Sequence, residues 1–226
     1  MIRKYSDLEK YEEGKPVPLN IWPESDKYKF NKLVETPEFK SWFGSSVVTF
    51  RDEYPFDHRM PMPVYHITSK DFKEFVPGGG NPAKGLGIYF GPSKWRDKLP
   101  AFSTNPNEKG SRVIPVYLKI EEPLRILSGV QWEQVKKDLN LYNVENQING
   151  FPFVINSEIM AKLRKWGADG LIFSHDAITA PGKKEPQKRF TPDEYVVFDS
   201  TQIKSVYGNK GEFRLDSSDI TGALKK

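Results

Sequence analysis

Apolar positions along this chain fall mostly into short β-type runs, and helical spacing is confined to three stretches. The runs at 47–50, 63–67, 86–90, 113–120, 170–173, 195–198 and 202–207 read as strands, several of them bounded by Pro or Gly. The run at 113–120 carries Pro115 in its interior, which predicts an edge strand or a bulge, because proline cannot donate to a ladder. Thr36-Pro37-Glu38 has the form of a helix start: a hydroxyl cap, a proline in the first turn and an early acid. Phe39, Trp42 and Phe43 follow at helical spacing, and Gly44 stops the helix. Trp132, Val135 and Leu139 mark a second helix, and Ile159, Met160, Leu163 and Trp166 a third, closed by Gly167. Strands outnumber helices without regular alternation, which predicts an α+β fold rather than a doubly wound sheet.

Residues 1–33 are polar and interrupted by Pro16, Pro18 and Pro23, so they read as an irregular N-terminal extension. One domain over 34–215 and a flexible C-terminal tail over 216–226 complete the expected organisation. Two further stretches are expected to be flexible: 77–82, with three consecutive glycines, and a basic loop over 174–192. The glycines lack the Gly-Lys-Ser/Thr continuation of a phosphate loop, so a hinge beside a site suits them better.

Composition narrows the chemistry. Cysteine is absent, which excludes disulfides, thiol nucleophiles and cysteine-ligated zinc. The three histidines, His58, His66 and His175, form no close cluster, so no metal site is expected. A net charge of +4 is too small to predict nucleic-acid binding by itself. The N-terminus lacks the apolar core of a signal peptide, and no apolar run approaches the roughly 20 residues of a membrane span. A cytoplasmic protein without membrane contact is the expectation.

Three segments carry the candidate chemistry: Val64-Tyr65-His66-Ile67-Thr68, Gly85-Leu86-Gly87-Ile88-Tyr89-Phe90, and Asp193-Glu194-Tyr195-Val196-Val197-Phe198-Asp199 followed by Gln202-Ile203. A strand-end histidine, a strand tyrosine and a strand-start glutamate are each, taken alone, more often structural than functional. In this order they resemble the His-Tyr-Glu class of ADP-ribosyltransferases, which includes diphtheria-toxin-like enzymes and poly(ADP-ribose) polymerases. The pattern is closest to bacterial and phage-borne members. Thr36 to Gly44, the Pro-Val-Tyr-Leu strand at 115–118 and Gly167-Ala168-Asp169-Gly170 also match, so the resemblance spans about residues 36–212.

The resemblance implies a split antiparallel β-sheet core with flanking helices, and NAD⁺ as co-substrate with no metal. It places Glu194 beside the sugar, where a carboxylate stabilises the positive charge that grows as the nicotinamide–ribose bond breaks. It places Tyr89 against the nicotinamide ring, His66 on a hydroxyl of the adenosine ribose and Thr68 on the nicotinamide amide. The family's usual glycine after the motif histidine is Ile67 here; its backbone can offer the same N–H and C=O to the carboxamide, while its branched side chain restricts the strand. The implied activity is mono-ADP-ribosyl transfer to a macromolecule, as a toxin, phage effector or anti-phage factor. An NAD⁺ glycohydrolase and a non-catalytic NAD⁺ or ADP-ribose-binding module are the alternatives. The basic loop at 182–190, ending in Phe190, is the candidate acceptor contact and suits RNA or DNA as well as protein. His58 and His175 receive no role.

Overall fold

A computed structural model describes residues 32–50, 60–68, 73–78, 86–92, 112–141, 155–179, 192, 194–207, 209 and 211–221. The N-terminal extension (apart from its last residues), the second and third glycines of 78–80, His58 and the basic loop at 182–190 lie outside the described residues. Two compact units emerge. One takes the described residues up to Phe75, from Pro92 to Lys119 and from Thr201 onward; the other takes Val76–Gly91 and Ile120–Ser200. Each unit has its own sheet, and helices pack in both, as an α+β fold with a split core requires.

In the first unit, a 3-10 turn at Lys32–Glu35 leads into α1 (Pro37–Phe43). The Thr36 side chain accepts from the Phe39 N–H at 3.2 Å, so the expected cap forms. Phe39 is 1% and Trp42 0% exposed, and the Phe39 ring meets those of Trp42, Phe43, Tyr117 and Phe213 at centroid distances of 5.0–5.7 Å. A small ribbon of β1 (Thr49–Phe50) and β2 (Met60–Pro61) precedes the sheet, so only the end of the apolar run at 47–50 is strand. The sheet has the order β3 (Val64–Thr68), β5 (Arg112–Leu118), β9 (Ile203–Ser205), all antiparallel.

Pro115 therefore lies in the central strand, contrary to the edge or bulge expected for it. The reason is in the ladder. Val206 N–H donates to Pro115 C=O at 3.1 Å and Lys119 N–H to Gln202 C=O at 2.9 Å, so odd-numbered residues of β5 turn their main-chain groups toward β9. Opposite β3, Pro115 faces Tyr65 in a non-hydrogen-bonded pair, where a missing N–H costs nothing. Opposite Val206, the absent donor ends the β9 ladder at Ser205.

Within 216–221, the described start of the expected flexible tail, Asp216 is exposed while Ile220 is anchored. Ile220 is 3% exposed; its C=O accepts from Ser205 N–H and its own N–H donates to Lys73 C=O. Lys204, fully buried, donates through Nζ to Ser217 C=O at 2.7 Å and Asp219 C=O at 3.2 Å. Burial pushes the Lys204 ammonium below its usual 10.5, aided by Arg214 and opposed by the Asp219 and Asp216 carboxylates. The unfolded chain thus holds this proton more tightly. Stability should rise as pH climbs toward 10.5, and Lys204→Met should remove that slope. The same change strips two carbonyls of a charged donor, for an expected loss of about 1–3 kcal/mol in urea unfolding near neutral pH.

The second unit's sheet has the order β4 (Ile88–Phe90), β8 (Glu194–Val197), β7 (Gly170–Phe173), β6 (Pro123–Ile126). Its β6–β7 pair is parallel and the others antiparallel, so this half of the core is mixed. The parallel pair needs a crossover. That crossover contains α2 (Gly129–Leu139) and α3 (Ser157–Lys165). Ser128 and Gln131 cap α2 reciprocally, Ser128 Oγ accepting from Gln131 N–H and Gln131 Oε1 from Leu127 N–H. Trp132, Val135, Leu139, Ile159, Met160 and Leu163 all enter one apolar cluster with Leu171, Phe173 and Val196.

The Gly167-Ala168-Asp169-Gly170 motif has a mechanical role here. The Asp169 carboxylate accepts from the Glu121 and Glu122 N–H groups at 2.7 and 3.0 Å, which fixes the entry to β6. A side chain at Gly170 would meet Val196 C=O at 2.7 Å, so only glycine lets β7 lie against β8 there. The loop expected from Ser174 instead opens with a short helix, α4 (His175–Thr179), whose Ala177 and Ile178 are buried.

Candidate active site

Glu194 opens β8 and is 0% exposed. Because β8 alternates faces, Glu194 and Val196 share one side, and Val196 is the register partner of Tyr89. Tyr89 is thus the diagonal neighbour of Glu194 on the face covered by α2 and α3. Gly87 makes room for it: a Cβ there would lie 2.6 Å from Val196 Cγ1 and 3.1 Å from Tyr89 Cε2. The tyrosine ring folds back over that glycine, which explains Gly-Ile-Tyr-Phe as a unit. Tyr89 is 6% exposed, and burial, reinforced by the Glu194 charge, raises its hydroxyl far above the usual 10.0. It is a neutral phenol at any working pH.

A buried carboxylate is expensive unless its charge is answered by partners. One partner is His175, whose Nε2 lies 2.8 Å from Glu194 Oε2. With the carboxylate ionised it can only accept, so Nε2 carries the hydrogen. The imidazole is 34% exposed and also packs on Phe173, 5.4 Å between ring centroids. Phe173 is in turn the register partner of Glu194. His175 has no role in the sequence pattern; its one signal there is a polar pair, Ser174-His175, directly after a fully buried strand.

His66, Ile67 and Thr68 belong to the first unit. His66 and Thr68 share a face of β3, and the His66 ring stands edge-on to Phe75 at 4.9 Å between centroids. Phe75 is buried beside the Lys73–Glu74 segment that Ile220 and Asp219 hold. Ile67 packs with Tyr65 and Val113 on the opposite face, so its branched side chain does not crowd His66. Even-numbered residues of β3 exchange main-chain bonds with β5, so the N–H and C=O of Ile67 point away from β5. β3 is an edge strand among the described residues, and that pair of groups faces its open side. An N–H beside a C=O on one strand edge is the complement of a primary carboxamide.

Among the described residues no group of three or more His, Asp or Glu is arranged to hold a metal ion, and no helix is long and apolar enough to cross a membrane. A family model described as ADP-ribosyltransferase in polyvalent proteins matches residues 57–213. No curated protein and no solved structure matches the chain.

Proposed function

The chain belongs to the ADP-ribosyltransferase family found in polyvalent proteins, whose members use NAD⁺ as co-substrate, and from that premise we propose that it is a mono-ADP-ribosyltransferase acting on a macromolecular acceptor. The observation that carries the reading is Glu194, a carboxylate held wholly out of water at the start of β8 with one oxygen bound by an imidazole. A charge placed at such cost is suited to stabilising a cation. In the proposed reaction the bond from ribose C1′ to the nicotinamide nitrogen breaks, and its electron pair leaves with neutral nicotinamide. Positive charge spreads over C1′ and the ring oxygen, where the Glu194 carboxylate opposes it. An acceptor nucleophile then bonds to C1′ and releases its proton.

Other residues take the roles their chemistry allows. Tyr89 supplies a neutral aromatic wall for the nicotinamide ring, which a phenolate would not. The Ile67 N–H and C=O grip the carboxamide with Thr68 beside them, and His66 binds a ribose hydroxyl. The isoleucine is no obstacle, since the groups used are main-chain. The basic loop at 182–190 offers cations to an RNA, DNA or protein acceptor.

The test is incubation of the protein with labelled NAD⁺, with and without total protein or RNA. Nicotinamide release with label moving onto one macromolecular fraction is the expected result. Release with only free ADP-ribose would make the protein a glycohydrolase, and NAD⁺ binding without release would make it a binding module.

A further inference from the structure

His175 stands outside every residue that the family pattern assigns, yet it grips the carboxylate on which the proposed reaction depends. We propose that His175 is a positioning residue: its imidazole fixes the Glu194 carboxylate in its working orientation through the Nε2–Oε2 hydrogen bond. The inference rests on the reading of Glu194 as the reaction's carboxylate.

Geometry supports it from three directions. A glutamate side chain has a broad terminal torsion, so burial alone leaves the carboxylate plane undetermined. The 2.8 Å bond to Nε2 is of the short, charge-assisted kind that sets such a plane. The imidazole is itself fixed. Its ring leans on Phe173, the residue paired across the ladder with Glu194, so carboxylate and imidazole are both referred to one point of the sheet. The backbone beneath is anchored as well, because Ser174 N–H donates to Ile126 C=O and Ala177 N–H to Ser174 C=O. Helix α4 then buries Ala177 and Ile178. Strand β7 thus ends in a rigid corner whose outcome is the placement of one ring.

The exposure gradient adds a second argument. Glu194 is 0% exposed and the His175 side chain 34%, so the imidazole is a polar group that touches both the buried carboxylate and solvent. A histidine needed only to fill space would not require a nitrogen at hydrogen-bond distance from the charge.

The experiment compares wild type, His175→Ala, His175→Gln, Glu194→Gln and Glu194→Ala after thermal melts confirm folding. Displacing a reacting group by about 1 Å costs on the order of 10²-fold, so His175→Ala should lower the kcat of nicotinamide release by about 10–10²-fold with little change in KM for NAD⁺. Glutamine puts an amide donor near the position of Nε2 and should recover most of the rate. In ¹⁵N-histidine spectra, wild-type His175 should show the Nε2–H signature, and Glu194→Ala should change it whether or not the protein turns over. An unchanged kcat in His175→Ala, equal losses in the alanine and glutamine variants, or a His175 signal indifferent to Glu194 would each overturn the inference. Wild-type rates in Glu194→Gln would overturn the underlying reading instead, and the spectra would still report on the contact.

Discussion

Replacing Glu194 by glutamine is expected to lower nicotinamide release about 10²–10³-fold while leaving the melting temperature unchanged or higher. The two halves of that expectation share one cause. A buried carboxylate costs several kcal/mol of desolvation, and a charged hydrogen bond of the kind seen to His175 returns only about 1.5–3 kcal/mol. Glutamine keeps the shape and an acceptor oxygen for His175 but carries no charge to desolvate. Folding therefore loses little, whereas the transition state loses the anion that opposes its developing cation. Steady-state release and a thermal melt on the same preparation decide the matter. A slow variant that also melts early would point to a structural glutamate, and a fast one would remove Glu194 from the chemistry.

Trp42→Ala is expected to cost about 3–5 kcal/mol in urea unfolding, the range for deleting a large buried aromatic. Trp42 is 0% exposed, packs on Phe39, Phe43 and Phe213, and donates through Nε1 to Thr201 C=O at 3.1 Å, just ahead of β9. Trp166 provides the contrast. Its spacing from Ile159 and Leu163 suggests the same helix face, yet it closes α3 at 46% exposure, and Trp166→Ala should fall within about 0.5 kcal/mol of wild type. Equal losses in the two variants would contradict the burial pattern.

Those two tryptophans also show what the sequence could reveal. Helix caps, strand cores and the apolar faces of α2 and α3 were legible because each depends on a local pattern: Thr36 ahead of Pro37, or Trp132, Val135 and Leu139 at helical spacing. Strand β6 was not, since Pro123-Leu124-Arg125-Ile126 is short, interrupted by a charge at Arg125 and held by the Asp169 carboxylate at its entry. The place of Pro115 was not legible either, because an edge and a non-hydrogen-bonded position look alike until neighbours are known. Tyr89 and Glu194 were readable as a pair by resemblance. His175 was not, because the contact that distinguishes it is made across 19 residues. Ile67 departs visibly from the family's glycine, but whether its side chain crowds the strand is decided by which face packs on Tyr65 and Val113.

Pro115 has a further consequence, for how the first sheet finds its alignment. Sliding β9 by two residues along β5, so that Lys204 faced Pro115, would move the missing N–H from the end of the ladder into its middle. The Lys204 C=O would lose its donor, and Nζ would be drawn from the carbonyls of Ser217 and Asp219. The proline thus acts as an end stop: it leaves the native alignment untouched and penalises the next one along, so the closing strand has one place to settle.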